Sequence, residues 1–120
     1  MKGSTTPSAR AGKHHILTET QIESAAQLFT ALSEPIRLRL IKSLMEKDLT
    51  VTQLIDATGA RQANVSKHLS LLLRAGIVKK SKEGTFARYS VDDPFLNQIC
   101  SLVCSKMERD AMDHLQALQR

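Results

Sequence analysis

The chain has 120 residues, 42% hydrophobic but only 3% aromatic and without Trp. That is enough for one small domain whose core must rest on Leu, Ile, Val, Ala and Met, a composition that favours helices. Its formal net charge is +5. No apolar run approaches the roughly 20 residues of a membrane span and the N-terminus lacks the apolar stretch of a secretory signal, so the expectation is a cytoplasmic protein, not bound to a membrane, with its two cysteines reduced.

Residues 1–17 are rich in Ser, Thr, Gly and Lys without periodicity and read as a disordered tail. His14 and His15 at its end read as solvated histidines ahead of a metal site. Residues 18–120 form the predicted folded domain. A first helix is predicted over Glu19–Leu32, with Thr18 as cap, Gln21 as capping-box partner, and Ile22, Ala25, Ala26, Phe29 and Leu32 on one face. Ser33-Glu34-Pro35 reads as cap plus first turn of a second helix reaching Glu46, with Ile36, Leu40, Ile41 and Leu44 as its apolar stripe. Thr50 caps a short third helix, Val51–Thr58, broken by Gly59. A fourth follows from Gln62 to about Ala75 and ends at Gly76. Short helix, Gly-containing turn and longer helix make the pattern of a helix-turn-helix.

The period then changes. Ile77–Ser81 and Thr85–Val91 read as two strands of a hairpin, joined through Lys82-Glu83-Gly84. Asp92-Asp93-Pro94 opens a last helix reaching about Leu118. The expected architecture is mainly α with a small β-hairpin, in the order α-α-α-α-β-β-α.

Positive charge concentrates in the second half of this pattern. Residues 61–90 hold seven Lys/Arg (Arg61, Lys67, Arg74, Lys79, Lys80, Lys82 and Arg88) against one acid, Glu83; the rest holds ten against eleven. A localised positive field displaces counterions from a phosphate backbone. On the fourth helix, Val65, Leu69, Leu72 and Leu73 share one face. The opposite face presents Ala63, Lys67, Ser70 and Arg74, with Asn64, Ser66 and His68 on its flanks. Small and polar residues permit close approach to base edges, and Lys reaches phosphate. The basic hairpin reads as a wing touching the neighbouring backbone or minor groove.

Three stretches resemble the ArsR/SmtB family of winged helix-turn-helix repressors: Leu32-Ser33-Glu34-Pro35-Ile36-Arg37-Leu38-Arg39-Leu40, Gln62-Ala63-Asn64-Val65-Ser66-Lys67-His68-Leu69, and Leu73-Arg74-Ala75-Gly76-Ile77-Val78. The ending from Gly84 to Pro94 is similar too. Arg61 departs from the family, which more often has a capping Ser there. The resemblance implies a homodimer through the first and last helices, bound to a palindromic operator in double-stranded DNA. It implies two recognition helices about 34 Å apart, with Gln62, Ala63, Ser66 and Lys67 near bases and Asn64 and His68 beside them. It also implies release by an inducer. Thr50-Val51-Thr52 stand where some members carry a Cys-x-Cys metal site, and hydroxyls are poor ligands for soft ions. The last helix offers Asp110, Asp113 and His114 without the second His of another family site.

Cys100 and Cys104 lie at i and i+4 on the last helix, at the edge of an arc formed by Phe95, Leu96, Ile99, Leu102, Val103 and Met107. Helical i,i+4 Cβ atoms sit about 5–6 Å apart, too far for an unstrained disulfide. Two thiolates could still turn toward one soft metal or metalloid ion, given a third ligand from elsewhere, or undergo reversible oxidation. The competing reading is that both are small apolar packing residues. The chain has no Gly-rich phosphate loop, no HExxH and no paired acid and base, which reads against an enzyme. The remaining alternatives are a repressor without an inducer and a winged-helix module that binds protein; the latter would expose apolar side chains on the fourth helix.

Overall fold

The helices start and stop where local side chains satisfy their free ends. The computed structural model describes residues 17–119, so His14, His15 and the rest of 1–16 lie outside the described residues. Helix α1 (Glu19–Leu32) opens on a capping box: the Thr18 hydroxyl accepts the Gln21 N–H at 3.1 Å and the Gln21 amide oxygen accepts the Thr18 N–H at 2.9 Å. Helix α3 (Val51–Thr58) repeats the device with Thr50 and Gln53. Each such cap is worth about 1 kcal/mol. Helix α2 (Pro35–Glu46) starts differently. Its cap position is Glu34, which makes no side-chain bond, and Pro35 sits where no amide donor is needed. The expected cap, Ser33, instead closes α1, donating its hydroxyl to the Thr30 carbonyl at 2.7 Å.

Helix α4 (Gln62–Arg74) ends in a Schellman motif. The Ile77 N–H reaches back to Leu72 O at 3.0 Å and the Gly76 N–H to Leu73 O at 3.1 Å. The motif needs a left-handed residue, supplied by Gly76 at φ 76. It also explains a shift from the expected strands. The N–H groups of Ile77 and Val78 are spent on Leu72 O, and both side chains are buried, so the first long strand begins only at Lys79.

The sheet has three strands, where the sequence suggested two. Strand β1 (Leu49–Thr50) pairs antiparallel with β3 (Phe86–Ser90), which pairs antiparallel with β2 (Lys79–Glu83). Lys82 and Glu83, expected in the turn, belong to β2. The turn is the two-residue Gly84-Thr85, with Gly84 at φ 65 in the first central position, as hairpin twist prefers. Anchoring by β1 answers the marginal stability of an isolated ribbon: Leu49 faces Tyr89 and both are buried.

Leu40, Ile41 and Leu44 of α2, Leu54 of α3, and Val65, Leu69 and Leu72 of α4 form the core with Leu49, Ile77, Val78, Tyr89 and Leu96. The terminal helices contribute little to it. Helix α1 buries no residue fully and leans on the core through Leu28, Ala31 and Leu32. Of the expected α1 face, Ile22 and Phe29 stay exposed, Phe29 at 58%. Helix α5 (Pro94–Leu118), capped by the Asp93 carboxylate on Phe95 N–H at 3.0 Å, buries only Leu96. Its Leu102, Val103, Met107, Met112, Leu115 and Leu118 are all exposed. None of the described helices is long and apolar enough to cross a membrane.

Candidate nucleic-acid interface

Helices α2 and α3 hold α4 from below, and its outer face is left uncovered. Val65, Leu69 and Leu72 are buried, whereas Gln62, Ala63, Asn64, Ser66, Lys67, Ser70 and Arg74 are all exposed. Leu73, expected inward, is half-buried. The exposed set offers amides and a hydroxyl on the first two turns, with Lys67 beside them. Lys67 and Lys82 make no ion pair among the described residues. Arg61 occupies the cap position of α4 in extended geometry with no side-chain cap bond, and no acid stands in the first turn. The first amides of the helix are thus left without a side-chain acceptor, the electrostatic environment an anion prefers.

His68 does not belong to this face. It is 9% exposed, and its Nδ1 has no hydrogen-bond partner among the described residues. The reason is angular. His68 follows Val65 by three residues and precedes Leu72 by four, so it lies close to the inward line of α4. Burial lowers its pKa from the ordinary 6.5, the nearby Arg37 and Lys67 charges lower it further, and Glu34 partly opposes them. The ring is therefore neutral near pH 7, within reach of the charges at the start of α2. Arg37 is a neighbour that the sequence reading passed over; its Nε is likewise buried without a partner among the described residues. Its place in the same helix start as Pro35, one turn before the buried Leu40, was the available signal.

The wing carries less free charge than its sequence suggests. Lys79 pairs with Asp92 at 3.2 Å. Arg88 pairs with Glu83 at 3.2 Å and donates to Asp48 O at 3.4 Å. Lys80 stands over the Tyr89 ring, 5.9 Å from its centroid. Directly opposed residues in a ladder share a face, so Lys80 and Lys82 lie on the side of Tyr89 and Ala87, and Ser81, Glu83, Phe86 and Arg88 lie on the other. Exposed ion pairs are worth only about 0–1 kcal/mol, so Lys79 and Arg88 can exchange their carboxylates for phosphate at small cost.

The cysteines sit apart from this surface, on α5. Both are free thiols; Cys100 is half-buried and Cys104 exposed. No group of three His, Cys, Asp or Glu suited to a metal comes together among the described residues. Lys106, one of two cations near the thiols in sequence, is held by Asp110 at 2.7 Å.

Comparison with known proteins bears on the same elements. Residues 34–80 match the family model described as bacterial regulatory protein, arsR family. An uncharacterized HTH-type transcriptional regulator of Methanocaldococcus jannaschii is 40% identical over 82 residues, which cover 68% of this chain and 92% of that one. The transcriptional repressor PagR of Bacillus anthracis is 30% identical over 90 residues, 74% of this chain and 90% of the repressor. Among solved structures, the homodimeric winged helix-turn-helix DNA-binding domain Mb0332 of Mycobacterium bovis superposes with a TM-score of 0.69 at 23% identity, covering 77% of this chain and 85% of that one. At that identity it speaks for the fold: a winged helix-turn-helix.

Proposed function

The chain belongs to the arsR family of bacterial regulatory proteins, and from that premise we propose that it is a homodimeric transcriptional repressor that reads a palindromic operator with α4. The observation that carries this reading is the outer face of α4. Seven exposed residues there, Gln62, Ala63, Asn64, Ser66, Lys67, Ser70 and Arg74, are small, polar or basic, and none is a large apolar side chain. A protein-binding module on the same fold would expose apolar groups at this point. Gln62, Asn64 and Ser66 are the base-reading set, since amides and hydroxyls meet base edges in the major groove. Lys67, Arg74 and the wing cations Lys79, Lys80, Lys82 and Arg88 set position on the backbone without reading sequence. His68 acts indirectly, by holding α4 against α2.

Dimerisation follows from the unfinished ends of the chain. Ile22 and Phe29 on α1 and Leu102, Val103 and Met107 on α5 are exposed in a single copy. A second copy that covers both helices removes this surface from water and doubles the reading head. In this proposal the DNA-binding domain spans residues 18–120.

Cys100 and Cys104 are the inducer site in this proposal. They share a face of α5 next to its apolar residues, so a soft metal or metalloid ion, or thiol oxidation, acts where the two copies meet. An inducer must bind the DNA-incompetent arrangement better, because equal affinity shifts no equilibrium. The test is a mobility shift on a duplex spanning the DNA upstream of the chain's own coding sequence, with and without As(III), Cd(II), Zn(II) and persulfide. Wild type is expected to form one retarded complex with two protected half-sites. Cys100→Ser/Cys104→Ser is expected to bind equally well and to ignore whichever reagent releases wild type. A double variant that still responds excludes the thiols as sensor, and a wild type released by none of the reagents points to a repressor without such an inducer.

A further inference from the structure

The wing tip carries a side chain that charge does not explain. Phe86 is 67% exposed in a chain with only three Phe and one Tyr. The other three have evident places. Tyr89 is in the core, and Phe29 and Phe95 stand on α1 and α5, the helices assigned to dimerisation. Phe86 is on neither. It opposes Glu83 across the Gly84-Thr85 turn, at the end of the ribbon remote from α4 and α5.

Its surroundings on the ribbon are electrically balanced. On its own face lie Ser81, Glu83 and Arg88, and the last two neutralise each other at 3.2 Å. Lys80 and Lys82 point to the other face. In the free chain the tip thus presents an aromatic ring beside the paired Glu83 and Arg88, with Lys80 and Lys82 on the opposite face. Duplex DNA offers a matching surface in the minor groove, where apolar deoxyribose walls run between charged phosphate rails. Apolar side chains of minor-groove proteins are known to wedge between base steps; a ring that stays outside the stack can still bury itself against the sugars.

Resting on the DNA-binding reading above, we propose that Phe86 packs against deoxyribose in the minor groove beside the major groove that α4 enters. The contact has a distinct signature. Burying a ring against sugar removes apolar surface from water but releases no phosphate counterion. It adds affinity without adding salt dependence, whereas Lys67 adds both.

The chain has no Trp, so Phe86→Trp places a single fluorescent reporter at the tip. It is titrated with the upstream duplex alongside wild type, Phe86→Ala, Phe86→Leu and Lys67→Ala, over a range of salt concentrations. Phe86→Ala is expected to bind about fivefold more weakly at every salt concentration, the scale of burying part of one ring, with an unchanged log–log slope. Phe86→Leu should recover most of the loss, and the reporter should become shielded from acrylamide in the complex. The inference is overturned if Phe86→Ala binds like wild type, if it alters the slope or self-association instead, or if the reporter stays open to acrylamide in a complex that forms. Wild type that binds no duplex removes the DNA reading and this inference together. Tight wild-type binding that depends on Lys67 and not on Phe86 removes this inference alone.

Discussion

The middle of the chain and its two ends are built to different degrees of completion. From α2 to β3 the apolar side chains close on one another: Leu40, Ile41, Leu44, Leu54, Val65, Leu69 and Leu72 are almost fully buried. Helices α1 and α5 bury one residue fully between them, Leu96, while Leu102 is 70% exposed on a helix of 25 residues. The middle closes its apolar side chains within the chain, and the ends leave theirs open. The difference separates two jobs. A self-sufficient centre can hold a rigid reading face, while helices finished only by a second copy can set the spacing between two such faces.

The sharpest break between the regions lies in stability. Leu69→Ala removes a buried side chain and should cost about 2–5 kcal/mol, measured by urea unfolding. Leu102→Ala should leave the unfolding of dilute monomer nearly unchanged. Equal losses would erase the distinction. Next in size, Leu102→Glu or Met107→Glu should weaken self-association at least about tenfold, or roughly 1.4 kcal/mol, and flatten the dependence of Tm on protein concentration. Sedimentation of either variant as an undisturbed dimer would move the interface elsewhere.

A smaller effect comes from pH. The pKa of His68 is lowered in the folded chain from the ordinary 6.5. As pH falls below 6.5, the unfolded chain takes up the proton first, so this stabilising contribution is present above 6.5 and is lost until pH drops past the lowered folded value. Urea unfolding across that window should show stability rising with pH, and His68→Leu should flatten this component. A wild-type profile with the opposite slope would mean that the ring is not held neutral against Arg37 and Lys67.

What could be read from the sequence divides along the same line as local and distant causes. The starts of α1 and α3, and the end of α4, follow from residues three to five positions apart: Thr18 with Gln21, Thr50 with Gln53, Gly76 with Leu73 and Ile77 with Leu72. Strand β1 was not legible, because two residues become a strand only when β3 arrives some 40 positions later to pair with them. His68 was misplaced for a similar reason. Its helical angle puts it between the inward line of Val65 and Leu72 and the outer face, and only the surrounding fold decides that this border position is buried. The wing cations were legible as residues but not as free charges, since Asp92 and Glu83 had to be brought within 3.2 Å of Lys79 and Arg88. On α1, the choice between Phe29 and Leu28 as the inward residue depends on how the helix leans on α2. The sequence shows an apolar helix there, and packing decides which side stays open.

The central claim is that the exposed face of α4 engages phosphate and bases. The most direct measurement is the equilibrium constant for the upstream duplex as a function of salt, for wild type and for Lys67→Ala. Wild type should show a steep linear fall of log K with log salt, and the variant a slope smaller by about one unit per bound subunit with an unchanged Tm. A salt-independent wild type, or a variant line that overlays it, would contradict the account.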